Sequence, residues 1–158
     1  MPTLKAFECR VRGFDESSTW WAATASKARA QYWRFLQDPC PDLKFADISV
    51  KRAPGQDIVF PDLPDVAENL DDEDRDTILH AFGGSSHKRV EHWGTRNHYC
   101  CDPKDTRLNR LVSLGLFRGP KGVDANGDTP GWVGAFFYLT DEGKTVARAL
   151  IGARETGK

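Results

Sequence analysis

An α+β fold is predicted for this chain of 158 residues: an N-terminal β-β-α-β sandwich over residues 1–53, an acidic proline-containing linker over 54–70, and a helix–hairpin–helix domain over 71–158. Three observations predict it. The first dozen residues alternate apolar and polar side chains, which is the period of a half-buried strand. Residues 108–114 place apolar side chains at helical spacing and then meet Gly115, a residue that closes a last helical turn. Between these regions, residues 57–76 carry nine acidic residues against a single arginine.

The elements follow in order. Phe7, Cys9 and Val11 fall on one face of the first strand, against Glu8, Arg10 and Arg12 on the other. Residues 13–16, Gly-Phe-Asp-Glu, form a hairpin turn into a second strand over 18–23. Thr24 or Ser26 caps a helix in which Ala28, Tyr32, Phe35 and Leu36 share a side, and Pro39 and Pro41 end it. A third strand over 45–51 alternates Ile48 and Val50 with Asp47, Ser49 and Lys51. The acid-rich stretch with Pro54, Gly55, Pro61 and Pro64 is expected as a linker. From residue 70 its acids become the first turns of a helix with Ile78, Leu79 and Phe82 apolar, closed by Gly83 and Gly84.

Residues 83–105 hold Val90, Trp93, Tyr99 and Cys101 without a helical period, and Gly94 and Pro103 interrupt them, so no helix is predicted there. Leu108, Leu111, Val112 and Leu114 form the next helix. Leu116 and Phe117 open a strand, a glycine- and proline-rich tip follows, and residues 132–139 return as an aromatic strand. Thr140 caps a last helix with Asp141 and Glu142 in its first turn and Val146, Ala147, Leu150 and Ile151 as its inward stripe.

Helix, hairpin and helix carrying Leu114-Gly115-Leu116 and Leu139-Thr140-Asp141-Glu142-Gly143 resemble the C-terminal half of winged-helix proteins of the multiple-antibiotic-resistance regulator type. The resemblance implies a winged helix that binds DNA or protein. The missing middle helix makes it a degenerate one. The wider pattern FECRVRGFDESSTWWAATASKARAQYW, LKFADISVKR, RNHYCCD and FFYLTDEGKTVA is similar to small proteins of tailed phages and prophages, with Arg96, Asn97, His98 and Tyr99 as the most recognisable internal match. That likeness implies a setting and no activity.

Charge and motifs narrow the function. A net charge of −1 excludes a wholesale electrostatic grip on nucleic acid, so any such grip comes from local segregation. Six bases against three acids over 87–110 supply it. On this basis Lys88, Arg89, Arg96, Arg107 and Arg110 are candidate phosphate contacts, Asn97 and Asn109 candidate base contacts, and Arg118 and Lys121 candidate wing contacts. Trp20, Trp21 and Trp33, with Arg29 and Arg34 beside them, are candidate protein-interface anchors.

No hydrolase elbow, Walker loop, dinucleotide fingerprint or metalloprotease motif occurs, so no catalytic residue and no cofactor are assigned. A zinc site from His87, His92, His98 and Cys100 lacks ligand-pair spacing, and Asp124, Asn126 and Asp128 lack the glutamate of a calcium loop, so no metal is assigned either. Four irregularly spaced cysteines read as reduced thiols. The absence of an apolar span or leader core predicts a cytoplasmic protein without a membrane partner, here in a bacterial host. The expected function is non-enzymatic: binding of nucleic acid or a host nucleoprotein complex, with an anti-defence effector resembling anti-CRISPR inhibitors, bound to a host protein, as the alternative.

Overall fold

Alternation in the opening residues is realised as β1 (Thr3–Val11), paired antiparallel with β2 (Ser17–Ala22) on one side and β3 (Ile48–Arg52) on the other, in a computed structural model that describes residues 1–122 and 134–157. Phe7 stands opposite Trp20 and Cys9 opposite Val50. Helix α1 (Ala25–Leu36) covers that face with Ala28 and Tyr32. The Thr24 hydroxyl accepts from the Lys27 amide at 3.2 Å and so caps the helix as its sequence predicts. Phe45 is not in the third strand. Residues Phe45–Asp47 make a 3-10 turn, because the Asp47 carboxylate accepts from the Lys44 amide at 3.1 Å while the Lys44 carbonyl takes the Asp47 amide at 2.9 Å.

The chain divides into two units, Met1–Phe60 with Gly152–Lys158, and Pro61–Ile151. Residues 54–60 of the expected linker fall in the first unit and residues 61–70 in the second. A short strand β4 (Ile58–Val59) pairs with Thr3 and Leu4. Asp57 accepts the Ala6 amide at 2.9 Å and grips Arg52 through both guanidinium nitrogens, at 2.7 and 2.5 Å. Phe60 is buried, and a Cβ added at Gly152 would lie 2.5 Å from it. In the second unit, Asp65–Asn69 coil into a 3-10 helix that buries Ala67, and Leu70 is buried after it. Sequence composition marks solvation of side chains; these backbone pairings are what it leaves out.

Within the second unit α2 (Asp72–Phe82) begins at a capping box, in which Asp71 accepts the Asp74 amide at 2.7 Å and Asp74 accepts the Asp71 amide at 3.0 Å. Gly83, at φ +79°, ends it in the left-handed conformation. Then come β5 (His98–Cys101), α3 (Thr106–Ser113), β6 (Phe117–Gly122), β7 (Ala135–Leu139) and α4 (Asp141–Thr156). The three strands form an antiparallel sheet in the order β5-β7-β6. Strand β5 falls in the stretch for which no element was predicted. Its four side chains are all half-buried, so it shows no apolar contrast to read.

Thr140 joins the turns of this unit. Its hydroxyl donates to the Gly115 carbonyl at 2.6 Å and accepts the Gly143 amide at 3.0 Å, while its own amide donates to the Leu116 carbonyl at 3.0 Å. A side chain at Gly143 would collide with that Leu116 carbonyl. The hairpin tip, with Asp124, Asn126, Asp128 and Trp132, lies outside the described residues. Among the described residues no helix is long and apolar enough to cross a membrane.

Candidate functional site

The polar residues of α3, where DNA readers were expected, are committed to the chain itself. Asp74 is fully buried, where a carboxylate is costly unless paired. Arg107 donates to Asp74 at 3.0 Å and to Asp71 at 2.9 Å, and also pairs with Glu73; Arg110 pairs with Asp74 and reaches the Asn69 carbonyl at 3.3 Å. The Asp71 carboxyl is held below the usual range, first by the Asp74 amide and then by Arg107. Asn109 spends its side-chain amide on the carbonyls of Pro103, at 3.0 Å, and Asp105, at 2.7 Å. The basic excess over 87–110 is thus answered in large part by the acidic start of α2. Arg89 likewise pairs with Glu91 at 3.0 Å.

Other cations stand on the three-stranded sheet. Alternation places His98 and Cys100 of β5, Phe136 and Tyr138 of β7 and Arg118 of β6 on one face, with Tyr99, Phe137, Leu139 and Phe117 on the other. Phe117, Phe137 and Leu139 are buried; Phe136, Tyr138 and His98 are half-exposed. The His98 ring lies 5.5 Å from Phe136, edge to face, and 6.3 Å from Tyr138. Phe136 and Tyr138 are 6.2 Å apart. The Arg118 guanidinium sits 6.0 Å and the Lys121 ammonium 5.8 Å from the Tyr138 centroid. Tyr138 and Phe136 were not among the sequence candidates, and His98 was weighed only as a zinc ligand and in the phage-protein likeness. The signal was present in Phe-Phe-Tyr-Leu at 136–139, where aromatic side chains on both faces of one strand exceed what a single core can take. Asn97, exposed, leads into β5 with its carbonyl bound to the Leu139 amide at 2.8 Å.

Lys88 and Arg96 lie elsewhere, around a cavity at the C-terminal end of α2 that His80, His87 and His92 also line. Burial, and then Arg96, His87 and Lys88, push the His80 imidazole below the ordinary histidine range. Among the described residues no three histidines, cysteines or acids converge as metal ligands. All four cysteines are free thiols. Burial pushes the Cys9 thiol up to about 11, and burial, then Asp105, Cys100 and Asp102, push Cys101 up to about 11. Both are protonated, weakly reactive groups at neutral pH.

Of the expected interface tryptophans, Trp20 is buried in the first unit, 8% exposed, with its ring 5.6 Å from Tyr32. It belongs to the core and not to a contact surface. Trp21, on the opposite face, donates its indole N–H to the Gln56 carbonyl at 2.8 Å. Trp33 donates to the Leu43 carbonyl at 3.0 Å. Arg29 lies over Phe45 at 5.5 Å, and Arg34 is exposed in the last turn of α1. No family model, no curated protein and no solved structure matches this chain, so its function rests on these residues alone.

Proposed function

We propose that this is a non-catalytic accessory protein that binds nucleic acid on the open face of the β5-β7-β6 sheet, in the phage or prophage setting its sequence suggests. The order α2, β5, α3, β6, β7, α4 with this strand order supports a degenerate winged helix, in which one helix stands where a reading head has two. With Arg107, Asn109 and Arg110 bonded to the chain's own carboxylates and carbonyls, α3 is a poor reader, and the hairpin takes over the contact. The observation that carries this reading is the cluster of Phe136, Tyr138 and His98 with Arg118 and Lys121 over Tyr138. Aromatic rings on an open sheet give unpaired bases a stacking surface worth about 1–3 kcal/mol per base, and cations beside them neutralise phosphates. A single strand, with its bases free, fits this face better than a duplex.

Fluorescence anisotropy with a labelled single-stranded oligonucleotide tests it. Affinity is expected to fall with added salt, to drop about tenfold or more in Tyr138→Ala, and to drop again with Arg118→Ala and Lys121→Ala. Absence of binding at low salt, or full affinity in all three folded variants, would refute the assignment.

A protein-binding effector keeps one observation in its favour. Phe35 and Phe45 are 54% and 39% exposed on the first unit, with Arg29 beside Phe45. Exposed aromatics next to arginine are the usual anchors of an interface, and they relocate the contact from Trp20 and Trp21 to α1 and the turn after it.

A further inference from the structure

Two neighbouring cavities of the second unit share His80 and Ser85 as a common wall. One, of about 230 Å³, is lined by His87, Lys88, His92 and Arg96. The other, of about 320 Å³, is lined by Asp76, Thr77 and Tyr99, and by itself reaches the lower bound of about 300 Å³ for small-molecule sites.

Cations gather at the C-terminal end of a helix because its carbonyls carry partial negative charge. Here three of those carbonyls are already taken. Leu79 accepts from the Gly84 amide at 2.8 Å, His80 from Gly83 at 3.2 Å, and Phe82 from Gly94 at 2.9 Å. The His92 carbonyl takes both the amide, at 3.3 Å, and the hydroxyl, at 2.7 Å, of Thr95. No carboxylate among the described residues pairs with Lys88 or Arg96, and the Arg96 guanidinium meets the His80 ring nitrogen at 3.5 Å. An imidazole pushed toward its neutral form adds hydrogen-bonding capacity there and no charge. The backbone that shapes the cavity is fixed tightly: a Cβ at Gly83 would stand 2.6 Å from the His92 carbonyl.

The second cavity has the opposite character. Asp76 gives it an acceptor that repels anions and suits hydroxyl or amine donors, and the Tyr99 ring, 5.5 Å from His80, gives it an aromatic wall. A ligand filling both therefore has an anionic end and, one short step away, a flat donor-bearing end. We infer that the paired cavities bind a nucleotide through its phosphate monoester, with the phosphate on Lys88 and Arg96 and the nucleoside toward Tyr99 and Asp76. The site stands apart from the sheet face and does not depend on it. A free nucleotide and the 5′-phosphorylated end of a strand present the same chemistry.

Isothermal titration calorimetry of the full chain with AMP, GMP, adenosine and inorganic phosphate tests the site. A monophosphate is expected to bind at least tenfold more tightly than adenosine and than phosphate alone. Lys88→Ala with Arg96→Ala should abolish that preference, and Asp76→Asn should alter the AMP-to-GMP ratio. Lys88→Ala alone, at an exposed residue, serves if the double variant fails to fold. Tyr138→Ala should leave nucleotide binding unchanged, which separates this site from the sheet. Competition by a 5′-phosphorylated oligonucleotide, and not by its 5′-hydroxyl counterpart, would identify a strand end as the source; competition by neither would identify the free nucleotide. No binding of either monophosphate, equal affinity for adenosine and AMP, or unchanged affinity in the folded Lys88 variants would overturn the inference.

Discussion

Asp74 illustrates how one residue redirects a functional reading. It is fully buried, completes the capping box of α2, and holds the guanidinium groups of Arg107 and Arg110. Asp74→Ala removes the N3 half of the capping box and the buried carboxylate shared by Arg107, which keeps Asp71 and Glu73, and Arg110, so a loss of about 2–3 kcal/mol is expected in urea unfolding. A loss below about 1 kcal/mol would show the arginines to be held loosely enough to serve a phosphate instead. In the sequence, the acidic run and the basic run each looked like a solvated face or a contact surface. A balance of the two runs within the molecule was open from the sequence; which residues pair, across more than thirty positions, depends on where two helices pack and not on any local pattern. Thr24 and Thr140, by contrast, were legible, because a helix cap is settled within four residues.

Elements were readable where one face is dry and the other wet. Strands β1 and β2, helix α1 and the body of β3 from Ile48 follow the alternation and spacing of their residues closely, and so do α3, β6 and β7. β5 was not readable, since none of His98, Tyr99, Cys100 and Cys101 is fully buried and its existence depends on pairing with β7. The junction of hairpin and α4 shows how tightly these elements meet. Gly143 lies against the Leu116 carbonyl, so Gly143→Ala must push α4 away from the turn that follows α3. About 2 kcal/mol of destabilisation is expected, a fall of roughly 4–8 °C in thermal midpoint for a chain of this size. An unchanged midpoint would mean that the two turns can slide apart freely.

Among the described residues of the whole molecule, three carboxyls are held below their usual range: Asp57 by hydrogen bonds from Arg52 and the Ala6 amide, Asp71 by the Asp74 amide and Arg107, and Asp141 by Lys144. A carboxyl depressed in the folded state contributes stability that is fully present above its unfolded value of about 3.9 and is lost as pH falls through the folded value. The urea midpoint should therefore hold from neutral pH to about 5 and decline below 4. Asp57→Asn should lower the midpoint at neutral pH and make its acid decline shallower; an identical decline in that variant would remove Asp57 from the account. The chain leaves its first unit at Phe60 and rejoins it at Gly152. That return falls inside α4, so exchanging residues 61–151 as a block would cut the helix in two, and a chain that stopped before residue 152 would lack the closing stretch of its first unit.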